Sequence, residues 1–355
     1  MRQLSLLSLT ALIATQTFAA DVTLNGTVQT SVQINQHQLK NSASMTNKSI
    51  TLLKVRLSKE ATQHILQHRL RSHTPLAKAS SVMSDKIDLG MNKVPVLDQG
   101  MYGTCVTFAT TAAIDAALGQ GDYVSQLCSL QLGTYLEDRS YQPSGWEGSW
   151  GRTVLSQFTN NGIVSKENET KLGCGGMHSY PTRDDVSGEM SVDEYHAMSQ
   201  SLMDSTTIDW SPILDIYQAF SDKTNADKTI NDIKKSLNEG ERVTMGVLLV
   251  DYNQGLAGAV GKHVVNQDTW VLTPEMLDDL KTHNLEDIVA GHEMVIIGYD
   301  DNAVAKDDKG RTYQGLFKLR NSWGSVIGDK GDFYITYEYF KLLGIEANRI
   351  KKITG

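Results

Sequence analysis

Val94-Pro-Val-Leu-Asp-Gln-Gly-Met-Tyr-Gly-Thr-Cys105-Val-Thr-Phe108 passes from an extended, proline-containing segment through a glycine-rich loop to a cysteine. Beyond it Phe108, Ala112, Asp115 and Ala116 recur at helical spacing, so Cys105 is expected in the first turn of a helix. The unpaired N–H groups of a helix start favour a thiolate, and the thiolate is the nucleophilic form of cysteine. Cys105 is therefore a candidate nucleophile. Taken alone, it reads equally well as a small buried apolar side chain.

A thiolate nucleophile needs a base and a group to stabilise an oxyanion, and the sequence downstream offers both. Gly291-His292-Glu-Met-Val-Ile-Ile-Gly298-Tyr-Asp300 sets a histidine at the mouth of an apolar, strand-like run. Gly315-Leu-Phe-Lys-Leu-Arg-Asn321-Ser-Trp323-Gly324 is a second strand, and Gly328-Asp-Lys-Gly331-Asp-Phe-Tyr-Ile335 a glycine turn into a third. An asparagine at a strand end supplies the hydrogen bond that orients an imidazole. Gln99, just upstream of Cys105, has an amide N–H to aim at a developing oxyanion beside the Cys105 backbone N–H.

In order and in character, Gln99-Gly…Cys105, Gly291-His292…Gly298-Tyr299 and Asn321-Ser-Trp-Gly…Gly328…Gly331 resemble the papain-like cysteine peptidases. The resemblance runs from about residue 87 to about residue 340. It implies an α+β, two-lobed fold: a helical N-terminal lobe, an antiparallel β C-terminal lobe and a cleft between them. It also implies that Cys105 is the nucleophile, His292 the base and acid, Asn321 its orienter and Gln99 the oxyanion donor. Gly145-Trp-Glu-Gly148-Ser149 resembles the glycine-rich strand along which family members hold substrate backbone. Gly148, Ser149, Gly291 and Trp323 are accordingly expected along the substrate cleft, with Trp323 also shielding the Asn321–His292 contact. No cofactor and no metal is implied. The chain departs from the family in having Val106 where an aromatic residue usually follows the nucleophile, and Gly-Thr-Cys for Gly-Ser-Cys. The separation from Cys105 to His292 also exceeds the family's roughly 130–150 residues, so insertions are expected, among them the excursion through residues 251–290 that holds His263.

The chain has 355 residues, enough for two lobes and an appendage, and a net charge of −8, which argues against nucleic acid or anionic membrane as a partner. Met1-Arg2 followed by a short apolar run and Thr17-Phe-Ala19 reads as a secretory signal peptide over residues 1–19, and hence as a secreted protein. Residues 20–84 read as a propeptide-like segment that lies over the cleft: two alternating strands (Thr27–Ile34 and Ile50–Leu57), a short amphipathic helix and an exposed linker from Thr74 to Ser84. His64 and His68 stand one turn apart but read as a solvated helix face. The peptidase domain is then expected over 85–355. Asp300, Asp301, Asp307 and Asp308 read as a solvated hairpin tip.

Three cysteines leave one unpaired. With Cys105 as the nucleophile, Cys128 and Cys174 are expected to bridge. The expected activity is hydrolysis of peptide bonds in protein or peptide substrates by a monomeric, latent precursor. Two other readings stand beside it: a catalytically dead binding module, and a thiol acyltransferase or transglutaminase-like enzyme that passes the same thioester to an amine.

Overall fold

The computed structural model describes residues 21–34, 47–69, 83–181, 186–203, 207–221, 224–250, 259–262, 266–283, 285, 289–307 and 309–353. The leader expected at 1–19, most of the Thr74–Ser84 stretch with Lys78, the side chain of His68, His263 and Asp308 lie outside the described residues.

The alternation in the first part of the chain gives a hairpin. β1 (Val22–Gln33) pairs antiparallel with β2 (Asn47–Leu57), with Val28 opposite Leu52. β2 buries Ile50, Leu52, Leu53, Val55 and Leu57, and these join the same hydrophobic core as the residues around Cys105. Ser58 caps the short helix α1 (Lys59–Gln63), which continues as a π-helical turn over His64–Arg69. His64 is buried and meets Phe220 edge-on at 6.2 Å, so it packs rather than facing solvent. β3 (Lys86–Asp88) follows.

Helices occupy the middle of the chain: α2 (Cys105–Leu118), α3 (Gln126–Asp138), α4 (Gly151–Asn161), α5 (Lys166–Leu172) and α6 (Val192–Met198). α2 is buried along almost its whole length, as expected of a helix packed on all sides. The buried Asp115 near its end accepts from the backbone N–H groups of Tyr123 and Val124, which turns the chain towards α3. The α4 start is satisfied from elsewhere: Glu346 accepts from the N–H groups of Gly151 (2.9 Å) and Arg152 (2.8 Å).

Strands dominate the rest: β4 (Ile208–Leu214), helix α7 (Ala226–Asn238), β5 (Arg242–Val250), β6 (Ala259–Lys262), β7 (Asn266–Trp270), helix α8 (Pro274–Thr282), β8 (Val289–Lys306), β9 (Thr312–Arg320), β10 (Asp332–Thr336), helix α9 (Tyr337–Leu343) and β11 (Gly344–Lys352). The class is α+β. The sheet runs β4-β11-β5-β8-β6-β7-β10-β9, with β9 also returning to β8 and with β2 and β3 added on β8. Strand β8 is therefore the axis of the molecule. β5 is buried at every position, Arg242 and Thr244 included. The sheet is not wholly antiparallel as expected: β7 and β10 run parallel, with Thr269 beside Tyr334, because the insertion carrying β6 and β7 joins the sheet there. Gly145 to Glu147 form a bend and Gly148 and Ser149 have no regular structure, so the stretch is not a strand. Among the described residues no helix is long and apolar enough to cross a membrane, and no group of side chains could hold a metal ion.

Cys128 on α3 and Cys174 after α5 form a disulfide, and Cys105 is the free cysteine. The bridge spans 46 residues, and closing a loop of that size stabilises a fold by about 2–4 kcal/mol through the unfolded chain. Replacing both Cys128 and Cys174 by serine should lower stability by that amount. The denaturant midpoint checks it, and a non-reducing peptide map joining Cys105 to either partner would contradict the pairing.

Candidate active site

The fold carries the sequence-expected residues to one place. Cys105 opens α2, His292 lies near the start of β8, and Asn321 follows β9, which pairs with β8. Within β8, His292 stands opposite Val247 of β5, so the imidazole is held by a strand paired on both sides. His292 Nε2 lies 2.8 Å from Asn321 Oδ1. The amide oxygen accepts, so that nitrogen carries the proton and Nδ1 is the unprotonated ring nitrogen. Nδ1 is buried and has no hydrogen-bond partner among the described residues. Trp323 stacks on the imidazole at 4.4 Å between ring centroids and is itself buried, so water is kept from the Asn321–His292 contact. Trp270 and Phe333 pack behind Trp323.

Gln99 is fixed through contacts that the sequence does not reveal. Its N–H donates to Ser322 O (2.8 Å) and its Oε1 accepts from Ser322 Oγ (2.8 Å), which decides which way the amide points. Its Nε2 then donates to Tyr102 O (2.9 Å) and towards Thr51 O (3.3 Å) of β2. Ser322 was visible only as part of the Asn-Ser-Trp-Gly string, and its partner lies 223 residues away.

The electrostatics differ from the helix-start expectation. Burial pushes the Cys105 thiol up to about 12, and the helix start together with the N–H of Glu293 offsets this only in part. Burial likewise pushes His292 down to about 4. Desolvation disfavours both charged forms, so the pair rests as neutral thiol and neutral imidazole. The sequence reading also passed over Glu293, next to the histidine. It is fully buried, and desolvation with the neighbouring Glu346 raises its pKa well above the carboxyl range, which keeps it protonated.

What covers the site is the N-terminal hairpin. Leu53 pairs with Gly291 next to His292. A Cβ on Gly148 would meet Leu53 Cδ2 at 2.9 Å and Leu24 Cδ1 at 3.1 Å, so the hairpin uses the space that the missing side chain leaves. Gly148 itself has φ 120°, which an L side chain rarely adopts. Thr51 Oγ1 donates to Met101 O (2.9 Å), while Lys48 Nζ donates to Trp323 O (2.7 Å) and pairs with Asp98. Ser149 is buried beside Gly148. Gly148, Gly291 and Trp323 thus touch one β-strand of the same chain.

No protein-family model matches the chain, and no curated protein matches it. Solved structures do. The structure resembles xylellain, a cysteine protease from Xylella fastidiosa, at 18% identity and a TM-score of 0.48, over 80% of this chain and 91% of that one. It resembles digestive procathepsin L 3 of Tenebrio molitor larval midgut at 16% identity and a TM-score of 0.42, over 83% and 79%. It resembles the clostridial cysteine protease Cwp84 at 16% identity and a TM-score of 0.47, over 74% and 56%. These neighbours are papain-like cysteine proteases.

With thiol and imidazole both neutral and covered, the intact chain should react slowly with iodoacetamide at pH 7, and its rate should climb as pH rises towards the thiol's value of about 12. Removing residues 21–69 should speed labelling at pH 7 and shift the profile to lower pH, because water and the imidazole again stabilise the thiolate. Mass spectrometry of the labelled Cys105 peptide reads both. Equal rates at pH 7 before and after removal would contradict the covered geometry.

Proposed function

We propose that this chain is a secreted papain-like cysteine endopeptidase made as a latent precursor. The observation that carries the reading is the His292–Asn321 contact of 2.8 Å beneath Trp323, together with a free cysteine at a helix start whose sulfur meets the N–H of Glu293, the residue after His292. Once the cleft is open, the Cys105 proton passes to His292 Nδ1 and the thiolate attacks a peptide carbonyl. Negative charge on the carbonyl oxygen is met by the Gln99 amide and the Cys105 N–H. His292 gives its proton to the leaving amine, and the C–N bond breaks. Water, deprotonated by the same ring, then attacks the thioester and frees the acid and the thiol. Asn321 keeps Nδ1 turned to the sulfur throughout.

Latency is the reading of residues 20–84 that the contacts support. Thr51 O takes up an N–H of Gln99, Leu53 is paired with Gly291 and packed against Gly148, and Cys105 is wholly buried. A substrate strand needs the same glycine-lined ground. The apolar run after Arg2 is what supports secretion.

An unfolded protein substrate tests both statements. Cys105→Ala should abolish hydrolysis and leave folding intact, and Gln99→Ala should cost about 2.7–4 kcal/mol of transition-state stabilisation. Full proteolysis by the alanine variant at Cys105 would end the peptidase reading. The uncut chain should be far less active than a chain cut between 70 and 82 and freed of the hairpin. Leu53→Asp should raise the activity of the uncut chain, because it buries a charge against Gly291 and loosens β2. Equal rates for uncut and freed chains would leave the hairpin a purely structural element.

A further inference from the structure

The threonine that precedes the nucleophile does not do what a threonine at a helix start ordinarily does. Thr104 is the residue before α2, yet its hydroxyl makes no capping bond to that helix. It lies 2.8 Å from Tyr180 Oη. Tyr180 Oη in turn donates to Gln99 O at 2.9 Å. A phenol has one proton to give, so Thr104 must be the donor to Tyr180 and the bonds run in series from Thr104 to Tyr180 to Gln99. The relay joins the residue beside the nucleophile to the backbone of the oxyanion donor.

The ring of Tyr180 is held as firmly as its hydroxyl. It stacks on Trp146 (5.7 Å, 22°) and meets Phe108 (5.0 Å) and Tyr102 (5.9 Å) edge-on. Trp146 belongs to the turn that leads to Gly148, Phe108 to the first turns of α2, and Tyr102 to the loop between Gln99 and Cys105. Trp146 O also accepts from Gly103 N (2.8 Å). Tyr180 itself lies six residues beyond Cys174, in the stretch that the disulfide anchors.

We propose that Tyr180 is a positioning residue: its hydroxyl fixes Gln99 relative to the start of α2, so that the Gln99 amide and the Cys105 N–H converge on one oxygen. The inference rests on the peptidase reading above. It assigns to Tyr180 no contact with substrate.

The test is Tyr180→Phe, which keeps the ring packing and removes only the hydroxyl, with every variant made as the full chain and cut under one protocol. The expected result is a fall in kcat on the order of tenfold, the factor one hydrogen bond is worth, with KM held within about twofold. Iodoacetamide labelling of Cys105 should keep its rate, because alkylation develops no oxyanion. In a Gln99→Ala background the same change should have little further effect, since Tyr180 acts through Gln99. An unchanged kcat, or a full tenfold loss in the Gln99→Ala background, overturns the inference. If the phenylalanine variant folds poorly, Thr104→Val against Thr104→Ser reads the same relay from its other end: loss with valine and retention with serine support it, and equal rates overturn it. A cut wild-type chain that hydrolyses nothing defeats the peptidase reading instead, which separates the two failures.

Discussion

Gln99 is the side chain on which the other parts converge. Its backbone N–H and its Oε1 are both bound by Ser322, its carbonyl by Tyr180, and its Nε2 faces Tyr102 O and Thr51 O. Those partners come from the loop after β9, the disulfide-anchored stretch, the nucleophile loop and the N-terminal hairpin. A primary amide with both ends committed cannot flip, and a fixed dipole is what electrostatic stabilisation of a developing charge requires. Ser322 follows Asn321 directly, so one short segment orients the imidazole with one residue and the amide with the next.

The covered site is governed by desolvation. At the start of α2 the helix dipole favours a thiolate by roughly 0.3–1 kcal/mol. Complete burial opposes it by more, with the thiol pushed up to about 12. The same burial holds His292 neutral and Glu293 protonated. On the proposed peptidase reading, the hairpin laid across Gly148 and Gly291 lies on the ground a substrate needs, while burial keeps the thiol of Cys105 protonated.

The local parts of this arrangement were legible in the sequence. Apolar alternation marks β1 and β2, a continuous apolar run marks β8, and the Gly-Thr-Cys junction marks the start of α2. The strand after Gly291 and the string at Asn321 mark the two elements that bring His292 to Asn321. The expected bridge between Cys128 and Cys174 corresponds to a disulfide in the fold. What was not legible depends on contacts between distant residues. Ser322 and Gln99 are 223 positions apart, and Tyr180 and Gln99 are 81 apart. The parallel pairing of β7 with β10 arises inside an insertion whose local pattern does not say where it joins the sheet. A helix start favours a thiolate, but how dry Cys105 is depends on packing that its local sequence does not carry.

Arg69 ends the π-helical turn that follows α1, and its guanidinium donates to Leu342 O, Gly344 O and Ala219 O while lying over the ring of Phe220. Those carbonyls belong to the end of α9 and its neighbourhood, whereas Lys48 of β2 holds Trp323 O and Asp98. A scission after Arg69 therefore severs the chain without undoing the grip at either end. The nicked molecule would be a complex of two polypeptides, held by the contacts that held one. A tethered segment faces its site at a fixed effective concentration, whereas a severed one leaves according to its dissociation constant and the protein concentration. Onset of activity after scission should then be a matter of dilution and time, with a lag set by the off-rate of the hairpin.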